Sequence, residues 1–357
     1  MKHLELFAGI GGFRRAFDLI SKDRGMVFEC IGYSEIDKNA SRTYSTNYKP
    51  GSSEVELGDI VAFTSNKKNI TNLPDFDLLS GGFPCQTFSV MGEQKGFNEE
   101  RGQMFFRIVD IIKIKRPNYL LLENVKNLYS HDGGKTFATI KQELEKQGYS
   151  VFSDIFNTCD FHLPQKRNRV VIFATRKPIS KSFAEEFTAG NIKAHFDSKY
   201  KKCSTLHFNS VCQLLKKKVD AKYYLSEKIK PTILSDGSAN FKSKSDINQA
   251  IARPLTATMH KMHRACQDNY YSQDFIDSHG KVNPVSTHSK EELAELPIRK
   301  ITPEEAFLLQ GFPALFATHS REKGCGEGAL YKQAGNAVSV NVIYAITDYL
   351  IEKGAIA

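Results

Sequence analysis

The chain has 357 residues, 41% of them hydrophobic and 25% charged, an ordinary globular composition with length for one large α/β domain and a smaller one. No run of 18 or more apolar residues occurs, and Met1-Lys2-His3 leads straight into a strand-like Leu4-Glu5-Leu6-Phe7. Neither a membrane span nor a secretory leader is therefore expected, and the protein reads as cytoplasmic. The net charge of +9 is concentrated: residues 176–290 hold 20 Lys and Arg against 10 Asp and Glu, while the remainder is close to neutral. Such a segment suits a polyanion, although a solvated lysine-rich surface has the same composition.

In chain order, Leu4–Phe7 reads as a strand, followed by a glycine turn and an amphipathic helix over Phe13–Ile20. Val27–Tyr33 is a second strand, with a helical stretch after it to about Asn47. Asp77–Ser80 is a third, running into Gly81-Gly82-Phe83-Pro84-Cys85. Met104–Lys115 has helical spacing and stops before Arg116-Pro117. Tyr119–Leu122, Tyr149–Asn157 and Val170–Ala174 read as strands, with a helix over Thr136–Gln147 between the first two. Strands alternating with helices imply a doubly wound, mostly parallel sheet covered on both faces. From about Lys177 the rhythm breaks, and residues 178–298 are rich in lysine, serine and histidine. Regular structure returns at Thr302–Gln310, where Thr302, Pro303 and Glu305 form a capping-box pattern, and in a last helix over about Ser339–Lys353.

Phe7-Ala8-Gly9-Ile10-Gly11-Gly12 follows the first strand and opens a helix, where glycines allow a sharp turn and close approach to a ligand. Some glycine turns bind nothing, so its neighbours matter. Glu35 follows the second strand, where a carboxylate can accept from ribose hydroxyls, and Asp59 ends the next short element, where one can accept from an adenine amino group. Each alone is as readily a surface acid. Together at successive strand ends they favour an adenosine-containing cofactor, and the turn lacks the spacing of a dinucleotide fingerprint.

The seven cysteines (30, 85, 159, 203, 212, 266 and 325) are odd in number, without a Cys-x-x-Cys pair, which suits neither a disulfide framework nor a zinc site. Cys85 is set apart by its neighbours. It stands in a glycine-proline turn at a strand's C-terminal end, before a polar loop, Ser89 to Arg101, of the kind that forms mobile lids. A small buried cysteine is the usual reading, but it explains poorly why Cys85 sits among glycines and proline in a turn. Glu123 ends the apolar strand Tyr119–Leu122, where partial desolvation would raise its pKa toward proton donation. In Gln165-Lys166-Arg167-Asn168-Arg169 the alternate arginines share a face if the segment is extended, and such arginines favour a nearby thiolate or hold a substrate oxygen. A basic edge strand would look the same.

Taken in order, Phe-x-Gly-x-Gly-Gly at 7–12, Pro-Cys-Gln at 84–86, Glu-Asn-Val at 123–125, Gln-x-Arg-x-Arg at 165–169 and Gly-Asn-Ala-Val at 335–338 resemble the successive motifs of the DNA (cytosine-5) methyltransferases. Arg101–Phe105 and Arg299–Pro313 fit as well. The resemblance implies a bacterial or phage restriction-modification enzyme with the S-adenosylmethionine-dependent methyltransferase fold. Residues 1–177 and 328–357 would form the catalytic domain and 178–327 a target-recognition domain with a hinge. It implies S-adenosylmethionine as donor, S-adenosylhomocysteine as product, and no metal. The partner would be duplex DNA, met by a monomer, with a cognate restriction endonuclease acting separately. Cys85 would attack carbon 6 of a flipped-out cytosine while Glu123 protonates ring nitrogen 3. Arg169 would hold the base's carbonyl oxygen and Arg167 the flipped nucleotide. Phe7, Gly9, Gly11, Gly12, Glu35, Ile36, Asp59, Ile60, Met104 and Asn336 would surround the cofactor, and Gln86, Ser89, Gln165 and Thr256 would meet DNA. Asn336 further implies that the last helix folds back beside the first strand.

Two stretches depart from the pattern. Glu304-Glu305-Ala306 stands where the family usually has Arg-Glu-Cys, which bears on helix packing, and Ala257 follows Thr256 where Leu or Val is usual. Two other readings are an RNA cytosine methyltransferase, whose Cys-Phe-Thr signature is not evident here, and an inactive DNA-binding homologue.

Overall fold

A computed structural model describes residues 1–84, 103–180, 182–238, 241–242, 245–261, 263 and 266–357. The chain divides into two compact units. One comprises Met1–Asn157, Asn168–Thr205 and Val342–Ala357, the other Thr158–Arg167 and Leu206–Asn341.

The first unit is built on seven strands: β1 (Lys2–Leu6), β2 (Glu29–Tyr33), β3 (Val55–Glu56), β4 (Leu78–Gly82), β5 (Tyr119–Val125), β6 (Ser150–Asn157) and β7 (Asn168–Thr175). Their order is β3-β2-β1-β4-β5-β7-β6, parallel except that β7 runs antiparallel to both β5 and β6. Strand alternation places Leu4, Leu6, Leu120, Leu122, Val170 and Ile172 in one buried cluster with Phe105, Ile108 and Ile112 of the helix Gln103–Lys115. Fully burying each such side chain contributes roughly 1.5–3 kcal/mol before entropy is charged. The other face of β1 presents His3 and Glu5, both buried. His3 meets the Phe17 ring edge-on at 4.9 Å.

Helix α1 (Gly12–Arg24) starts at the glycine turn and ends at Gly25 in the left-handed conformation. Helix α2 (Lys38–Tyr48) is capped by Asp37, whose side chain accepts from the Asn39 and Ala40 amides, and α3 (Ile60–Ser65) is capped by Asp59. The last helix, Val340–Glu352, returns to this unit from Val342 onward. Its polar contacts within this unit reach the end of α1: Arg24 Nε donates to Asp348 at 2.6 Å and Tyr344 to Asp23 at 2.9 Å.

The second unit has a small core around Leu225, Ile233, Ile247, Tyr270 and Ile298. Tyr270–Ser272 pairs antiparallel with Ile298–Lys300. The helix Pro303–Leu309 begins with the expected capping box of Thr302 and Glu305. Glu305 also forms a bidentate pair with Arg299 at 2.9 Å on both arms, with neither side chain exposed. The departures from the family pattern find their place in this packing, since Glu304 pairs with Arg321 and Ala306 is wholly buried.

Candidate active site

The turn after β1 is held by its own backbone. Ala8 donates to the Ser34 carbonyl at 2.9 Å and Gly11 to the Ala8 carbonyl at 2.8 Å. Phe7, Gly9 and Gly11 all have positive φ, of 52°, 56° and 81°. A Cβ on Gly11 would overlap the Tyr48 ring, whose hydroxyl donates to the Gly11 carbonyl at 2.6 Å, whereas a Cβ on Gly9 would meet open space. Glu35 bridges this turn to the next strand's end. One carboxylate oxygen accepts from the Gly9 amide and the other from the Asp37 amide, both at 2.7 Å. Burial raises its pKa, against those two backbone donors. Each oxygen keeps a lone pair for a further donor.

Beside Glu35 opens a cavity of about 490 Å³, lined among others by Ile36, Lys38, Arg42, Gly58 and Asp59. Ile36 is 72% exposed, an apolar surface between two carboxylates, while Ile60 is buried beneath. Asp59 Oδ1 accepts from the Val61 amide at 2.9 Å. Met104 packs, partly buried, against the sheet's core. Gly12 is the first residue of α1.

Three strand ends converge next to the turn. Gly81 lets β4 lie close to β1, since a Cβ there would sit 2.7 Å from the Leu6 carbonyl. Gly82 pairs with Glu123 across β4 and β5. Asn124, 2% exposed, donates its side-chain amide to the Phe83 carbonyl at 2.9 Å and accepts from the Val125 amide at 2.8 Å. The root of the Pro-Cys-Gln segment is thus fixed to the strand that carries Glu123. Glu123, buried, forms an ion pair with Arg169 Nε at 2.9 Å, a diagonal contact across β5 and β7. Cys85, Gln86 and Ser89, with the loop Ser89 to Arg101, lie outside the described residues.

The Gln-x-Arg-x-Arg motif is divided. Arg169 belongs to β7, but Gln165 and Arg167 are in the second unit, both buried. Gln165 donates to the Leu309 carbonyl at 3.0 Å and accepts from the Leu255 amide at 2.9 Å. Arg167 donates to the carbonyls of Leu255, Gly335 and Ala337, each at 3.0 Å. The two arginines therefore have different partners. Thr256 is half-buried just before a turn, and Asn336 is exposed at the end of the helix Glu327–Asn336.

Asn124 and Tyr48 escape sequence reasoning as site residues. A polar side chain inside an apolar strand signalled the first, and nothing local signalled the second. Among the described residues no cluster of His, Cys, Asp or Glu could hold a metal. No helix among them is long and apolar enough to cross a membrane.

Comparison with known proteins identifies the family. Residues 1–352 match the family of C-5 cytosine-specific DNA methylases. The chain is similar to the Type II methyltransferase M1.ScrFI of Lactococcus lactis subsp. cremoris, at 36% identity over 98% of this chain and 78% of the relative. It resembles M.HaeII of Haemophilus aegyptius at 33% over 99% and 93%. In fold it is similar to the Entamoeba histolytica methyltransferase EhMeth, with a TM-score of 0.70 at 20% identity, covering 99% of this chain and 98% of that one. The S. pombe Dnmt2 methyltransferase gives 0.70 at 18%, covering both chains fully. With its motifs in order along the whole chain and its glycine turn, strand-end acids and Glu123–Arg169 pair gathered on one sheet, the protein belongs to the C-5 cytosine-specific DNA methylase family.

Proposed function

We propose that the protein methylates carbon 5 of a cytosine flipped out of a specific duplex DNA sequence, with Cys85 as covalent nucleophile. The observation that supports this reading is the Asn124–Phe83 hydrogen bond, which ties the residue two positions before Cys85 to the strand that carries Glu123 and its partner Arg169. S-adenosylmethionine fits the cavity by its donor set. Glu35 and Asp59 have acceptor capacity for ribose and adenine, Ile36 offers an apolar face, and the space above Gly9 is clear. Met104 completes that set within the first unit, and the cofactor role of Asn336 rests on the Gly-Asn-Ala-Val motif alone. When bound, the cofactor supplies an electrophilic methyl group on a sulfonium and leaves as S-adenosylhomocysteine.

The residues of the chain do the rest. The Cys85 thiolate bonds to carbon 6 while Glu123 gives its proton to ring nitrogen 3, so carbon 5 gains enamine character and accepts the methyl group. A solvent base then takes the carbon-5 proton as Cys85 leaves as thiolate, and ring nitrogen 3 returns its proton to Glu123, which restores the neutral aromatic ring and the starting enzyme. Arg169 orients Glu123 and the base's carbonyl oxygen. Gln86, Ser89 and Thr256 serve DNA engagement, whereas Gln165 is buried and acts through the Leu255 peptide it holds just before Thr256. No step needs a metal. The DNA methylase family supports duplex DNA as substrate, and the Type II names of the relatives support a separate cognate endonuclease, beside which this chain would act as a monomer. They favour DNA over RNA, because the Dnmt2 likeness at 18% identity concerns fold alone.

Methylation-sensitive sequencing of DNA from cells expressing the protein identifies the site. A duplex with 5-fluorocytosine at that position, incubated with cofactor, should then form a denaturation-resistant adduct, because fluorine blocks the elimination. The adduct should vanish in Cys85→Ala. An adduct on RNA but on no duplex would overturn the DNA reading.

A further inference from the structure

We propose that Arg167 is a positioning residue that couples cofactor binding to DNA binding. The inference rests on the reading above, in which Asn336 serves the cofactor and Thr256 serves DNA. Arg167 is 2% exposed, and its two terminal nitrogens are committed to main-chain carbonyls. One nitrogen holds the carbonyl of Leu255, the residue before Thr256. The other holds the carbonyls of Gly335 and Ala337, the residues on either side of Asn336. A single planar guanidinium thus fastens the peptide that presents Asn336 to the peptide that presents Thr256.

A second contact makes the joint stiff. A Cβ on Gly335 would overlap the Thr256–Ala257 peptide, so the two backbones are in direct contact and only glycine fits. Gln165 adds a third tie, accepting from the Leu255 amide and reaching the Leu309 carbonyl. Charge-assisted hydrogen bonds to carbonyls are stronger than neutral ones, and the guanidinium's fixed fork sets their directions together. Ordering Asn336 against the cofactor therefore orders Thr256 for DNA, and by linkage DNA orders Asn336 for the cofactor by the same factor. The side chain touches neither ligand in this account. It acts through the two residues it frames.

The test is a coupling measurement. The affinity of the full-length protein for a fluorescein-labelled duplex bearing its mapped site is measured with and without saturating S-adenosylhomocysteine. The wild type should bind DNA more tightly with it, by a factor within roughly 5- to 150-fold. In Arg167→Lys, which keeps the charge but cannot hold three carbonyls, the factor should fall toward one while each separate affinity is largely kept. A purely structural loss would instead weaken both affinities and leave their ratio intact. A wild-type factor in the Lys variant, or no factor in the wild type, overturns the proposal. If the Lys variant does not fold, a cycle of Thr256→Ala and Asn336→Ala decides. Non-additive effects on DNA affinity with S-adenosylhomocysteine present support the coupling, and additive ones overturn it. Single variants without effect on DNA and cofactor respectively would remove the site assignments and the coupling with them, whereas the 5-fluorocytosine adduct would still stand.

Discussion

Asn124 donates its side-chain amide to the Phe83 carbonyl at 2.9 Å, so the strand bearing Glu123, the proposed general acid, also anchors Phe83, two residues before the proposed nucleophile Cys85. Replacing Asn124 with Ala leaves a buried carbonyl without this donor, at a cost of about 1–3 kcal/mol. Turnover should fall by roughly 10- to 100-fold if that cost falls on the productive arrangement. Cofactor affinity should change little, because Glu35 and Asp59 lie on other strand ends. Single-turnover rates beside equilibrium cofactor binding check this, and equal losses in both would assign Asn124 to general stability.

Gly9 and Gly11 of the turn should fail differently. Gly11→Ala places a Cβ against Tyr48 at a φ of 81°, adding steric conflict to roughly 1–2 kcal/mol of left-handed strain. It should lower the melting temperature and weaken the cofactor together. Gly9→Ala carries only the strain, since its Cβ meets open space. Its melting temperature should suffer less, while cofactor affinity drops because that space is the proposed ligand's. Calorimetry of both variants separates the two effects.

In the second unit, Glu305→Gln leaves Arg299 buried with its charge uncompensated and weakens the contacts to the Lys216 and Thr302 amides at 2.7 Å. The expected loss is about 3–5 kcal/mol in denaturant unfolding. Glu304→Gln should cost much less, because its partner Arg321 is 37% exposed and already hydrated. Similar losses for the two would contradict the burial argument.

Glu5 gives a pH signature. Burial raises its pKa from 4.5 to about 8, opposed by Arg14, the Arg14 and Phe13 amides and the Tyr44 hydroxyl. The folded state therefore holds this proton more tightly than the unfolded chain. The stability this confers is full below about pH 4.5 and is lost as pH rises through about 8. Glu5→Gln cannot ionise, so its melting temperature relative to wild type should climb between those limits and level off above them. A pH-independent difference would show that Glu5 does not titrate there. His3, on the same face of β1 and held neutral by burial, is common to both proteins and cancels.

What was legible in the sequence was local. Tyr119–Leu122 is an apolar run bounded by Arg116-Pro117, and β5 follows it. Thr302 and Glu305 are three residues apart, and their capping box forms as read. The direction of β7 was not legible, because alternation in Val170–Ala174 reads the same both ways. Nor were the partners of Arg167, which lie 88 to 170 residues away, where spacing carries no information. The ten residues Thr158–Arg167 join the second unit with no compositional change to mark the crossing. Glu35 and Asp59 were visible as strand-end acids, but the Gly9 amide on Glu35 needed the fold.

The interleaving of the two units has a consequence for how the protein is made. Arg24 and Asp348 are 324 residues apart, yet they close one corner of the same unit. At translation rates of about 5–20 residues per second, α1 waits roughly 15–65 seconds for that partner. During the wait the second unit, already contiguous from Leu206, can fold while the first is still open. The glycine turn at the start of α1 is among the first segments to leave the ribosome, but the helix end that steadies α1 is among the last. The birth order of the chain thus delays completion of the first unit until the second has been made.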